Sequence, residues 1–175
     1  MKNKDMTLFF WLCGICTMGI CVGIIASQRA GSCAEETVLQ LYNIKEFTLS
    51  LKEMLLNDAL SSALVIVAIN LIPVSVSGFF IWGGLILLRG FTAGFSYFQL
   101  FLGAGIATAL KIAFGAVLPS LAILAFMCRI GSKLLCEEKK DGRFARILNR
   151  SYYTALFVLC ICIRCVIQYG LFYKF

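Results

Sequence analysis

Cys13 and Cys16 are separated by two residues, the spacing of a dithiol redox pair. That chemistry needs a soluble strand–helix setting, and here both thiols sit with Cys21 in one long uncharged apolar run. Cys160, Cys162 and Cys165 lie in a second such run, while Cys128 and Cys136 belong to a side expected to face the cytoplasm, where thiols stay reduced. Cys33 alone is expected outside, with no partner for an internal bridge. The other eight of the nine cysteines therefore read as small apolar packing residues. There is no histidine, so the chain itself offers no imidazole base, no Ser-His-Asp triad and no His ligand for metal or haem. No nucleophile–base pair, metal cluster or phosphate loop stands out. The expectation is a protein that is not an enzyme and needs no cofactor, metal or nucleic acid.

The remaining residues of interest are charges and glycines inside apolar stretches. Arg89 immediately precedes Gly90-Phe91-Thr92-Ala93-Gly94-Phe95. Glycines four apart strip side chains from one helix face and let another backbone approach, and Gly19-x-x-x-Gly23 repeats the signal. Arg89 is costly against lipid, so it should face the bundle, a wet cavity or a partner. Alternatively it snorkels to the inner surface along its aliphatic stem. Lys111 and Arg164 are the other basic residues at or near membrane depth, and no span offers a carboxylate to pair with them. A proton or cation path usually exposes such a carboxylate, which counts against cation-coupled transport. An anion path along Arg89, Lys111 and Arg164 stays open, although carbonyl oxygens and lipid phosphates would satisfy them equally. Pro119 and Pro73 should bend their helices.

The elements that hold these residues follow from composition. Apolar residues make up 61% of the 175-residue chain and charged residues 14%, with a mean hydropathy of +0.90. A soluble domain of this size cannot bury so much apolar surface. Five spans of about 20 residues fit instead. The uncharged runs place them at roughly 7–28, 59–77, 79–101, 104–128 and 152–172. Residues 129–150 carry Arg129, Lys133, Lys139, Lys140, Arg143, Arg146 and Arg150 against Glu137, Glu138 and Asp141, which marks a cytoplasmic loop. Residues 29–58 are more acidic and suit the outside. The stretch between them must cross an odd number of times, and three crossings fit its length. The fold class is an all-α membrane bundle of five helices forming a single domain, with the N-terminus in and the C-terminus out. Phe9, Phe10 and Trp11, then Phe79, Phe80 and Trp82, then Tyr152, Tyr153 and Tyr173 flank the spans as interfacial anchors.

Span one also resembles a signal peptide with a weak cleavage site at Ser32-Cys33-Ala34. Its apolar run is too long and Arg29 intervenes, so it reads as a retained anchor, and Ala30-Gly31-Ser32-Cys33 is a poor lipobox. In the outer segment Leu41, Ile44, Phe47, Leu51, Met54 and Leu55 recur at helical spacing, although Phe47–Leu51 also alternates like a strand. That element either lies on the outer membrane surface or docks an extracytoplasmic partner. The basic inner segment is free to touch anionic lipid head groups.

Leu88-Arg89-Gly90-Phe91 followed by Ala93-Gly94-Phe95 resembles the basic-Gly-Phe…Gly-Phe segment of the stage II sporulation protein M family in its clostridial form. Gly78, twelve residues before Gly90, matches an upstream glycine, and Val117-Leu118-Pro119 resembles the step that opens the next helix. The layout is similar throughout, while residue matches concentrate in Gly78–Ala122. Wider members place His-Gly and then Glu after the Leu-Pro; here Ser120 and Leu121 follow. An Asn common before span two has no clear equivalent, since Asn57 is off register and Ser61 or Ser62 takes its place. No role resting on those polar residues is carried over.

The resemblance implies a non-catalytic scaffold of an engulfment complex in a spore-forming Firmicute. It would anchor a lytic transglycosylase and an amidase/endopeptidase, both cell-wall hydrolases, for peptidoglycan remodelling at the septal and engulfing membrane. Gly19, Gly23, Gly78, Arg89, Gly90, Phe91, Gly94, Phe95 and Pro119 are then candidate packing or partner positions. Membrane lipids and a second copy of the chain are further expected partners. The rival reading is a small-molecule or anion transporter with Arg89 and Lys111 lining its path.

Overall fold

A computed structural model describes residues 2–41, 62–71, 75–101, 109–110, 112–136 and 143–173. These are helical apart from a bend at Ser75, and no strand occurs among them. The elements are α1 (Lys2–Leu41), α2 (Ser62–Leu71), α3 (Val76–Phe101), a π-helical segment (Ala113–Val117), α4 (Leu118–Cys136) and α5 (Arg143–Tyr173). Four apolar stretches are long enough to cross a bilayer: Lys4–Ala30, Val76–Gln99, Ala113–Cys136 and Ile147–Gly170. Only 17% to 39% of these windows is buried inside the bundle, so large apolar side chains such as Phe10, Phe80 and Val166 point outward. That surface suits lipid as solvent.

Several expected boundaries move. The first apolar stretch, Lys4–Ala30, agrees with the expected span 7–28, but its helix runs on beyond it to Leu41, with no proline or turn cluster to interrupt it. At about 1.5 Å per residue, its 40 residues are roughly twice as long as a hydrocarbon core of about 30 Å. Leu41 is therefore helical, while Ile44, Phe47, Leu51, Met54 and Leu55 lie outside the described residues. The uncharged run 59–77 is not one helix either. Its described helix has ten residues, and α3 begins separately at Val76 behind a Ser75 cap. The Ser75 hydroxyl accepts the Gly78 N–H at 3.3 Å and its carbonyl accepts the Phe79 N–H at 3.2 Å, satisfying two donors at the start of α3. Pro73 lies outside the described residues.

The fourth span runs past its expected end at 128 to Cys136, while residues 102–108 and 111, at its expected start, lie outside the described residues. Arg129 and Lys133, read as the start of a loop, are helical, and so are residues 143–150. The expected basic loop is thus largely helix ends. Pro119, expected to bend its helix, is the second residue of α4. It follows the π-helical segment, where the Leu118 N–H reaches five residues back to the Ala113 carbonyl. Proline has no N–H for the Gly115 carbonyl four residues before it, and the wider turn accommodates that loss.

The core joins α1, α2, α3, α4 and α5 through Leu12, Cys16, Val65, Ile69, Trp82, Ile86, Met127, Ile130, Phe157 and Cys165, all buried. Cys128 is also buried there rather than at the cytoplasmic surface, and its thiol is hydrogen-bonded with that of Cys16. Trp82, expected as an interfacial anchor, is 1% exposed and packs against Gly131.

Candidate functional site

The four motif glycines meet in one seam. A side-chain carbon added at Gly19 would collide with the Leu87 carbonyl, and one at Gly23 with the Phe91 carbonyl. From the other helix, a carbon at Gly90 would lie 2.6 Å from the Cys16 carbonyl, and one at Gly94 would strike that of Ile20. Each glycine therefore receives the partner helix's backbone. This is close packing that only missing side chains allow. Contacts advance together along both chains, from Gly19 against Leu87 and Phe91 to Gly23 against Phe91 and Phe95, so α1 and α3 run parallel. One turn further, the buried Gln99 amide donates to the Ser27 carbonyl at 2.9 Å and holds the register. Phe91 and Phe95 stack on each other at 6.1 Å along α3.

Arg89 leaves the same helix on another side. Its guanidinium donates to the Ser62 hydroxyl at 3.1 Å, at the start of α2. The side chain is half-buried and turned toward α2. At the far end of α2, Arg150 of α5 donates to the Asn70 carbonyl, and the Asn70 amide donates to Thr154 at 3.2 Å. A cationic donor on a helix's last carbonyls also suits the helix dipole. Two arginines from different helices thus grip opposite ends of α2, which runs antiparallel to α3. Arg164 is half-buried on α5 and engaged within the protein. Lys111 lies outside the described residues.

A second polar node ties α1 to α4. Asp5 pairs with Lys133 at 2.9 Å and with Arg129 at 3.2 Å, and Arg129 also stands over the Phe9 ring. Sequence reasoning put Asp5 in a leader and its partners in a loop, yet all three are helical. Because Asp5 opens α1 while Arg129 and Lys133 are near the end of α4, these helices are antiparallel. Two more buried bonds join α3 to α4: Trp82 donates to the Met127 carbonyl at 3.1 Å, and the Tyr97 and Ser120 hydroxyls bond each other. None was anticipated, because a lone Trp, Tyr or Ser in an apolar run does not reveal its partner.

Of the expected interface residues, Gly19, Gly23, Gly90 and Gly94 lie in the seam, with Phe91 and Phe95 half-buried beside it. Gly78 belongs to the start of α3 and Pro119 to α4, away from that seam. Among the described residues no group of three or more Cys, Asp or Glu is arranged to hold a metal. Comparison with protein-family models, with curated proteins and with solved structures finds no match.

Proposed function

We propose that the chain is a non-catalytic membrane scaffold of a sporulation engulfment complex, positioning peptidoglycan hydrolases at the septal and forespore-engulfing membrane. The observation that carries this reading is the use made of Arg89–Phe95, the segment on which the family resemblance rests. Its glycines receive α1 and its arginine receives α2, so the motif organises helices instead of a reaction centre.

The membrane arrangement that goes with this reading has five crossings, the N-terminus inside and the C-terminus outside. It is supported by the directions of the helices: α1 and α3 parallel, α2 and α4 returning, and α5 starting beside the end of α2. The basic ends of α4 and α5 then share one side, as the positive-inside rule asks. The extracytoplasmic partners are a lytic transglycosylase and an amidase/endopeptidase. The transport alternative draws less support, since Arg89 is tied to Ser62.

Affinity purification of the tagged protein from sporulating cells, followed by mass spectrometry, should enrich both hydrolases. Absence of both, together with normal engulfment and normal hydrolase localisation in a deletion strain, overturns the proposal.

A further inference from the structure

Where α1 and α3 begin and α4 ends, an apolar groove of about 570 Å³ opens on the surface. Leu8 and Trp11 come from α1, Val76, Phe79 and Phe80 from α3, and Leu135 from α4. Its size falls within the range of small-ligand sites. Trp11, Val76 and Phe80 are 66%, 75% and 70% exposed, so the groove is open sideways to whatever surrounds the bundle.

The charges at this end say what kind of molecule fits. Lys4, Leu8 and Trp11 follow one another at four and three residues, a single stripe along α1 that carries an ammonium one turn beyond the groove. Lys133 reaches this end through Asp5, which precedes Leu8 by three residues on α1; its side chain stays 44% exposed while paired, and Arg129, on the same carboxylate, stays 42% exposed. Among the described residues, Arg129 and Lys133 share the Asp5 carboxylate, and Lys4 adds an exposed ammonium on the same turn of α1. An apolar slot that opens toward lipid, capped at its membrane-surface end by surplus positive charge, complements an acyl chain attached to an anionic head group.

We propose that this groove binds an anionic phospholipid of the adjacent leaflet, its acyl chain along Trp11 and Phe79 and its phosphate at Lys4 and Lys133. The proposal rests on the reading of the bundle as membrane-embedded and not on the sporulation role.

The two tryptophans make it testable. Trp82→Phe leaves Trp11 alone at the groove, and Trp11→Phe leaves the buried Trp82 as an internal reference. Each protein is reconstituted in phosphatidylcholine vesicles containing phosphatidylglycerol, with one of the two lipids brominated on its acyl chains. Brominated phosphatidylglycerol should quench Trp11 half-maximally at about one-fifth of the mole fraction that brominated phosphatidylcholine needs, the ratio one surface-level basic charge supports. Trp82 should show no such preference. Lys4→Gln, which breaks no ion pair among the described residues, should reduce the preference, and Lys4→Gln with Lys133→Gln should abolish it. Equal quenching of Trp11 by both lipids, or a preference that survives both substitutions, overturns the site. Absence of quenching by either lipid overturns the membrane embedding with it.

Discussion

The α1–α3 seam and the short helix α2 are fixed in the same bundle by opposite means. Along the seam, Gly19, Gly23, Gly90 and Gly94 contribute no side chains, and backbone meets backbone. Helix α2 instead hangs between Arg89 and Arg150, which bind its Ser62 hydroxyl and Asn70 carbonyl. Helices in lipid gain little from hiding apolar surface against one another, so they associate through close packing or through hydrogen bonds. Two long helices can use the first means over several turns. Ten residues of α2 offer too little length for that, and directional bonds at its ends take over.

The difference can be broken first at the seam. Replacing Gly94 with Leu puts a side chain into the Ile20 carbonyl, which belongs to rigid helix backbone and cannot give way. We expect a loss of about 3 kcal/mol or more, read as lower thermal stability in detergent, with Gly23→Leu behaving alike. Next comes Gly131, which receives the Trp82 indole. Gly131→Ala should cost about 1–3 kcal/mol through overpacking. Combining it with Trp82→Ala should recover part of that loss, because the obstacle is a side chain and not a backbone. No recovery would mean that Gly131 is needed for another reason.

The tethers of α2 should be weaker. A double-mutant cycle between Arg89→Ala and Ser62→Ala should return a coupling of about 0.6–1.7 kcal/mol, the range for polar pairs between membrane helices. A coupling near zero would show that the start of α2 is held by Val65 and Ile69 packing and not by Arg89. The smallest effect belongs to Gly14, whose added carbon would meet nothing within 4 Å. Gly14→Ala should be neutral or stabilising by up to about 1 kcal/mol through helix propensity. A large loss there would sink the view that only glycines with a neighbour in the added carbon's place are structural.

The part of this legible in the sequence is the part set by local chemistry. Glycines spaced at four mark a helix face, so Gly19, Gly23, Gly90 and Gly94 were identifiable, whereas for Arg89 the sequence left an inward course and snorkelling equally open. The helix ends were misread where a charge was taken for a boundary. Arg129 and Lys133 look like loop residues until Asp5 appears opposite them, and that pairing lets α4 continue to Cys136. The reverse error occurred in 59–77, where no charge marks the break before Val76 and the stop lies in backbone geometry around Ser75.

The sequence by itself determined that the chain is helical with apolar stretches long enough to cross a bilayer, since its uncharged runs are that long and 61% of its 175 residues are apolar. It also determined which faces must be protein-facing, because spacing and side-chain chemistry are local properties. Only the tertiary structure decided that α1 and α3 meet along their glycine faces, that Arg89 reaches Ser62, and that Trp82 lies on Gly131. Such pairings join residues far apart in the chain, and an apolar helix face fits many partners about equally well. Their selection rests on shape and hydrogen-bond geometry between helices, which no single segment carries.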